Sequence, residues 1–569
     1  MQRLFTDHIL RKTETLNGIW DFRVDPENRG VEEKWFLGLK NAEPVTVPSV
    51  WNTQMGLLEY CGAAWYEKRF HTQGGCLRFV FEAVMTEADV WLDGVHLGYH
   101  YGGFCQFEHI AEEVAPGFHT LSVRVDNHFD AHSVPQRNVD WYHYGGITRS
   151  VSVEILQGIC VLNNRLEYTL SEDLKTAEGR FVLELYNGEK EEQTSVLTAA
   201  LDGNAVYVGQ VTLAGREKQE LCTPAFSVTD LRLWDMDAPN LYEIALTTDT
   251  DDLLDRTGFR RVEVKDQKLW LNGREIEIRG INRHEEHPDW GMAFPQGLMK
   301  RDLDIAFHMG CNAIRGSHYP NSRVFVDMLD QSGMTFWSEI PIWGCGFSTE
   351  SLADSVILKR GLEMHREMVK YYYNHPSVII WGMHNEIRSD TQEGYEISKL
   401  FYRYLKENGG NRLVTYATMR PYTDICLEFC DIICINRYVG WYHNKRWEWA
   451  AEVEKFRVRR KELGFEDKPV IYSEFGGAAM YGHHTFDDLK WTEEYQTNLL
   501  TECLQAFHND PMVVGMYIWQ FCDIRSCEEN GLERARGYNN KGVLNEYRRP
   551  KMSFYGVQKA YRTFREEGR

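Results

Sequence analysis

The chain has 569 residues, and at about 150 residues per domain that length calls for three or four units, fewer if one of them is a large barrel. Charged residues make up 26% and hydrophobic ones 43%, the balance of a soluble globular protein, while Lys+Arg 63 against Asp+Glu 84 leaves a net charge of −21. An acidic surface of that size repels phosphate backbones and excludes nucleic acid as a partner; the longest basic run, Arg457 to Lys461, reads as a solvated helix face.

The opening segment, MQRLFTDHILRKTETLNGIW, has no continuous apolar stretch after its basic residues, and no part of the chain approaches the roughly 18 apolar residues of a spanning helix. The expectation is a cytoplasmic protein with no membrane partner. Thirteen cysteines cannot all pair, and runs such as DIICI suit reduced thiols packed as small hydrophobes. Cys426, Cys430 and Cys434, four apart, read as core packing.

From Gly18 to about Glu154, short alternating runs such as CLRFVFEAV, DVWLDGVHLG and HTLSVRVDNH are broken by turn signals, and they predict an antiparallel jelly-roll sandwich over residues 1–154. A second group, with RFVLELYNG, TSVLTAALDGNAVYVGQ and YEIALTT, predicts an immunoglobulin-like sandwich over 155–262. Beyond Lys265 the strands become continuously apolar and alternate with helical periodicity, as strands buried on both faces of a parallel sheet do. EIEIRGINRHE, NAIRGSHYP, MTFWSEIP, SVIIWGMHNE, LVTYATM, DIICINRY, PVIYSEFG and VVGMYIWQF predict a (β/α)8 barrel over 263–569, with its working face at the C-terminal strand ends.

Those ends collect His284, Glu285 and Glu286; Ser317, His318 and Tyr319; Glu339; Asn385 and Glu386; Asn436, Arg437 and Tyr438; Glu474; and Trp519, Gln520 and Asp523. Converging carboxylates on one partly dry face costs folding energy, because like charges there oppose each other's ionisation. Chemistry is the better account of such a cost. Glu386 and Glu474 end the fourth and seventh strands, on opposite sides of the barrel mouth, where a sugar lodged at the centre lies within reach of both. Paired carboxylates of this kind carry out glycoside hydrolysis, one as proton donor and one as nucleophile or base. A lone glutamate at either place would read as a solvated loop residue.

HPSVIIWGMHNE, INRHEE, RGSHYP, INRYVGWY and YSEFG together resemble the barrel of glycoside hydrolase family 2, and the two sandwiches ahead of it match that family's domain order. The resemblance implies a retaining enzyme with Glu386 as acid/base and Glu474 as nucleophile. It also implies that Asn385 binds the sugar 2-hydroxyl and that Tyr438 helps set the ionisation of the nucleophile. Within the family the chain is most similar to the β-glucuronidases, because GYNNKGVLNEYRRPK holds Asn539-x-Lys541, the pair that grips a uronic acid carboxylate there. An ammonium and an amide suit that anion, which a neutral hexose lacks. By matching motifs Asp140 in DWYHYGGI and His284 in NRHEE are expected to contact the sugar, with Tyr442 and Trp519 as aromatic walls. An arginine usual a few positions before Asn-x-Lys falls on Ala535 in an ungapped match, so neither Arg534 nor Arg536 is assigned.

The sequence also departs from the pattern. His384 stands where a small residue is expected and would narrow or re-aim the leaving-group side; Ser473 and Phe475 replace the usual Thr and Tyr. A short stretch between Pro341 and His375 predicts an open aglycone side, and the chain leaves no room for a carbohydrate-binding domain after SFYGVQKAYRTF. The expected function is thus exo-acting hydrolysis of β-glucuronides, small conjugates or oligosaccharides, by a homo-oligomer, tetrameric as glucuronidases commonly are, without cofactor or metal. β-Galacturonidase and β-galactosidase are the alternatives within the chemistry, and a non-catalytic carbohydrate-binding protein is the alternative outside it. His284 and His287 are three apart at a strand end and do not make the zincin pair, which needs a helix and a spacing of four.

Overall fold

Strands of alternating burial open the chain and pair into two antiparallel sheets. One holds Lys12–Thr15, Val151–Leu156, Gly75–Phe81 and Phe107–Val114; the other runs from Glu43–Val47 through Gly18–Asp25, Ala63–Thr72, Gly117–Asp126 and Glu87–Leu92 to Val95–Tyr101. Leu77, Phe79 and Phe81 meet Trp20, Tyr66, Leu121 and Val123 in one dry core between them, as facing sheets require. The computed structural model describes residues 8–527 and 534–567, so the first residues of the opening segment lie outside it.

A second sandwich follows. Ile159–Leu170, Thr176–Asn187, Lys218–Cys222 and Phe226–Thr229 face Asn204–Leu213, Gln193–Leu201, Tyr242–Thr247 and Asp252–Thr257, with Phe181, Leu183 and Leu185 packed on Leu197, Ala199 and Ile244. This is the immunoglobulin-like layer.

All eight apolar runs of the last part become parallel strands of a closed barrel: Ile278–Arg283 (β1), Ala313–Gly316 (β2), Thr335–Glu339 (β3), Val378–Asn385 (β4), Leu413–Thr418 (β5), Ile433–Asn436 (β6), Val470–Glu474 (β7) and Val513–Ile518 (β8). Closure is direct, since β1 pairs with both β2 and β8. A small sheet of Val262–Lys265, Lys268–Leu271 and Arg274–Glu275 covers the barrel's N-terminal end, where Leu269 and Leu271 cluster with Ile278, Trp337 and Ile380. The opposite end is left to the polar strand termini.

The jelly roll packs over that polar end. Its Trp141 is 1% exposed and lies 5.6 Å from His318 and 5.7 Å from His284, ring centre to ring centre, while Arg149 donates to Glu285 at 2.9 Å. Arg11 ties the two sandwiches together, donating to Asp251 and Glu154. The basic run differs in part from its reading as a solvated face: in the helix Trp449–Glu462, Arg460 is buried and donates to the Lys468 carbonyl. Cys426, Cys430 and Cys434 are buried free thiols, raised in pKa chiefly by burial. No helix among the described residues is long and apolar enough to cross a membrane.

Candidate active site

Glu474 is the last residue of β7, and Glu386 follows Asn385, the last residue of β4. Glu386 adopts φ 55°, a left-handed backbone that costs a non-glycine residue about 1 kcal/mol or more and persists only where the surroundings impose it. The surroundings are visible. Its N–H donates to Ala417 at 2.9 Å, Arg420 donates to its carbonyl at 3.1 Å, and Gly344 packs so closely that a Cβ there would lie 1.9 Å from the same oxygen.

Four side chains from neighbouring strand ends hold the carboxylates. Arg315 of β2 is fully buried and donates to Glu474 at 3.0 Å, to Asn385 Oδ1 at 2.8 Å and to both oxygens of Glu339 at 2.9 and 3.0 Å. The Tyr438 hydroxyl donates to the other Glu474 oxygen at 2.8 Å. Asn436 donates to Glu386 at 2.8 Å and to Asn385 Oδ1 at 3.1 Å, and accepts from Ser473 at 2.7 Å, which locks its amide orientation. His318 lies 2.7 Å from Glu339, and its Nε2 lies 3.6 Å from Glu474.

With its oxygen taken twice, Asn385 presents an Nδ2 that is buried and has no partner in the protein. His284 likewise keeps a buried, unpartnered Nε2 while Nδ1 meets the Tyr319 hydroxyl at 3.1 Å; burial and the nearby cations hold its pKa well below the ordinary value, so the ring is neutral. A buried polar atom without a partner is costly.

Burial and the charge of Glu386 lift Glu474 to about 8, against the opposing pull of Arg315 and the Tyr438 hydroxyl. Burial lifts Glu386 as well, and Asp140 adds to it. The two carboxyl groups titrate together, so the macroscopic pKa values belong to the pair. A guanidinium and a hydroxyl serve the anion at Glu474, whereas Glu386 receives one neutral amide, so the negative charge is better supported on Glu474.

The loop after β8 completes the cavity. Lys541 is 4% exposed and its ammonium donates to the Tyr442 hydroxyl at 2.8 Å; the Tyr442 ring lies 5.3 Å from that of Tyr438, which touches Glu474. The amine is therefore linked to Glu474 through two tyrosines, on the same end of the barrel as the paired acids. Asn539 is buried and donates to Asp140 at 3.0 Å, and Arg534 pairs with the second oxygen of Asp140. Arg536 turns away to Glu546 at 2.7 Å. Trp519 is 2% exposed and stacks on His318 at 5.1 Å, so it forms a floor, whereas Tyr442 is 63% exposed and stands at the rim.

All ten residues singled out from the sequence thus line one region, and Arg315, Asn436 and Arg534 join them. Arg315 carried a signal in RGSHYP and Asn436 in INRYVGWY, yet neither showed which carboxylate it would meet. His384 departs from its expected effect: Nε2 meets Ser398 at 2.8 Å and the ring packs on Tyr416, so the imidazole faces the surrounding helix Gln392–Asn408 and not the leaving-group side. Among the described residues no group of three or more His, Cys, Asp or Glu is placed to hold a metal ion. Glu285 and Glu286 are occupied by Arg149 and Tyr144.

A closed barrel with two buried carboxylates at its C-terminal mouth is the arrangement glycoside hydrolases use. Residues 262–566 match the family model "Glycosyl hydrolases family 2, TIM barrel domain", and the chain belongs to glycoside hydrolase family 2. It is 26% identical to a β-glucuronidase of Paenibacillus borealis, over 96% of each chain. Among solved structures it resembles a family 2 β-galacturonidase of Eisenbergiella tayi bound to galacturonate, with 32% identity, 99% of each chain covered and a TM-score of 0.91. It also resembles a β-glucuronidase of Ruminococcus gnavus, with 25% identity, 99% and 98% covered and a TM-score of 0.85.

Proposed function

We propose that this chain is a retaining, exo-acting β-uronidase that removes terminal β-D-glucuronic acid from conjugates or oligosaccharides. The observation that carries the reading is the Lys541 ammonium, which is buried and linked to Glu474 through Tyr442 and Tyr438. A compact cation there meets a sugar carboxylate, and Asn539 beside it supplies an amide.

In this reading Glu474 attacks the anomeric carbon while Glu386 protonates the departing oxygen. The bond to the aglycone breaks as the bond to Glu474 forms. Water, deprotonated by Glu386, then displaces Glu474 and returns the sugar with its β configuration. Asn385 Nδ2 donates to the 2-hydroxyl, His284 Nε2 meets the ring hydroxyls, and Tyr438 and Arg315 stabilise Glu474 whenever it is anionic. Asp140, braced by Arg534 and Asn539, faces the far side of the ring.

A second reading, β-galacturonidase, is favoured by the 32% identity to the Eisenbergiella tayi enzyme against 25% to the Ruminococcus gnavus one. The two uronides differ only at the 4-hydroxyl. Nitrophenyl β-glucuronide, β-galacturonide and β-galactoside assayed side by side decide between them. The expected result is turnover of a uronide far above the galactoside, and a preference for galactoside overturns the uronate reading. Proton NMR of the first-formed sugar tests the mechanism: the β-anomer is expected, and the α-anomer refutes Glu474 as nucleophile.

A further inference from the structure

The Lys541 ammonium makes one hydrogen bond, to Tyr442, so its aim depends on the backbone that carries it. That backbone is clamped from beneath. Asp523 Oδ1 accepts from Gly542 N at 3.0 Å and from Lys551 Nζ at 2.7 Å, and Oδ2 accepts from Asn540 Nδ2 at 3.3 Å. Lys551 donates in turn to the carbonyls of Asn540 at 3.0 Å and Ala479 at 2.8 Å. Thus the residues on either side of Lys541 are both held by one ion pair, whose two side chains are 0% exposed.

Further contacts fix the Lys541 peptide itself. Gln496 Nε2, from the helix Glu493–His508, donates to the carbonyls of Gly477 at 2.9 Å, Gly542 at 3.1 Å and Lys541 at 3.3 Å. Gln520 N donates to the Lys541 carbonyl at 3.1 Å. A Cβ at Gly542 would come within 2.3 Å of Asp523 N and of the Cys522 carbonyl carbon, so the loop sits directly on the end of the eighth strand's connection.

A buried ion pair is poor evidence of stability, because desolvating two charges offsets much of their attraction, and an apolar pair of the same volume often serves a core as well. What the pair does supply is a fixed conformation. We propose that Asp523 and Lys551 are positioning residues for the uronate clamp: they hold Asn540 and Gly542 so that the Lys541 ammonium is aimed at the sugar carboxylate before substrate arrives. This rests on the reading of Lys541 as the carboxylate's partner and extends it to residues that never touch the sugar. Pre-aiming matters because a misplacement of about 1 Å in a binding group can cost on the order of a hundredfold in rate.

The test combines Asp523→Asn and Lys551→Met with Lys541→Ala, and reads kcat and KM on the preferred nitrophenyl uronide, competitive inhibition by the free uronic acid, and kcat/KM on the neutral galactoside. Asp523→Asn and Lys551→Met are expected to raise the uronide KM and the inhibition constant roughly ten- to hundredfold, with a smaller change in kcat and a galactoside rate that follows neither. Adding Asp523→Asn to Lys541→Ala is expected to cost nothing more, since both act through one ammonium. Equal losses on uronide and galactoside, or full additivity with Lys541→Ala, overturn the proposal. If Lys541→Ala alone leaves uronide preference intact, it is the reading of Lys541 that fails. If Lys541→Ala removes that preference while the two clamp variants keep it, only the positioning role fails. Where the clamp variants do not fold, Gln496→Met is read by the same criteria.

Discussion

Arg315 donates to Glu474 at 3.0 Å while the same guanidinium grips both oxygens of Glu339. The nucleophile candidate is thus oriented by a group that is itself fixed on two sides, and a planar fork is needed to reach all three acceptors. Arg315→Lys keeps the charge and loses the fork. The expected outcome is a fall in kcat of about a hundredfold with little change in KM, measured by steady-state kinetics on the preferred uronide. A comparable fall in a variant remote from Glu474 would show that general loosening is responsible.

The paired carboxyls make stability depend on pH in a stated direction. A carboxyl whose pKa is higher folded than unfolded favours folding while it is protonated, and that contribution is lost as pH rises through the folded value. Burial and the charge of Glu386 lift Glu474 to about 8, and the proton concerned belongs to the coupled pair. Glu474→Gln removes the group that resents ionising, so its melting temperature relative to the parent is expected to rise steadily between about pH 5 and about pH 9. A difference that stays flat across that range would mean that Glu474 titrates as an ordinary carboxylate.

In the proposed mechanism the same pair governs the rate. Glu386 is raised by burial and must carry a proton for the first step, so activity is expected to fall on the alkaline side as the pair loses its last proton. In Glu386→Gln that limb should vanish for an aryl leaving group acidic enough to depart unprotonated, while poor leaving groups lose roughly 10²- to 10⁴-fold. A pH–rate profile for each substrate class checks this. Persistence of the alkaline limb in the variant would assign it elsewhere.

The barrel and the carboxylates gathered at its mouth were legible in the sequence because each leaves a local mark: continuous apolar strands, and polar residues at the strand ends. Arg534 could not be told from Arg536, because the choice depends on meeting Asp140 at a separation of 394 positions, which only the packing of the jelly roll onto the barrel creates. His384 misled for the opposite reason. Asn385 and Glu386 directly after it belong to the site, but alternation along β4 turns its own side chain to the outer helices, where Ser398 receives it. Sequence spacing therefore served best where one element carried the whole signal.

Arg534 and Arg536 are two positions apart and have separate fates, which permits a clean comparison. Arg534 pairs with Asp140, whose other oxygen accepts from Asn539, while Arg536 pairs with Glu546 outside the cavity. Arg534→Ala leaves Asp140 with only an amide, and the repulsion between Asp140 and an incoming uronate carboxylate then goes uncompensated. The expected outcome is a uronide kcat/KM lower by roughly tenfold or more, steeper at low salt, where charges are least screened. Arg536→Ala is expected to change kcat/KM by less than about twofold, because Arg536 is half-exposed and pairs with Glu546 rather than with Asp140. Kinetics on the two variants at low and high ionic strength measure the contrast, and equal effects would remove Arg534 from the site.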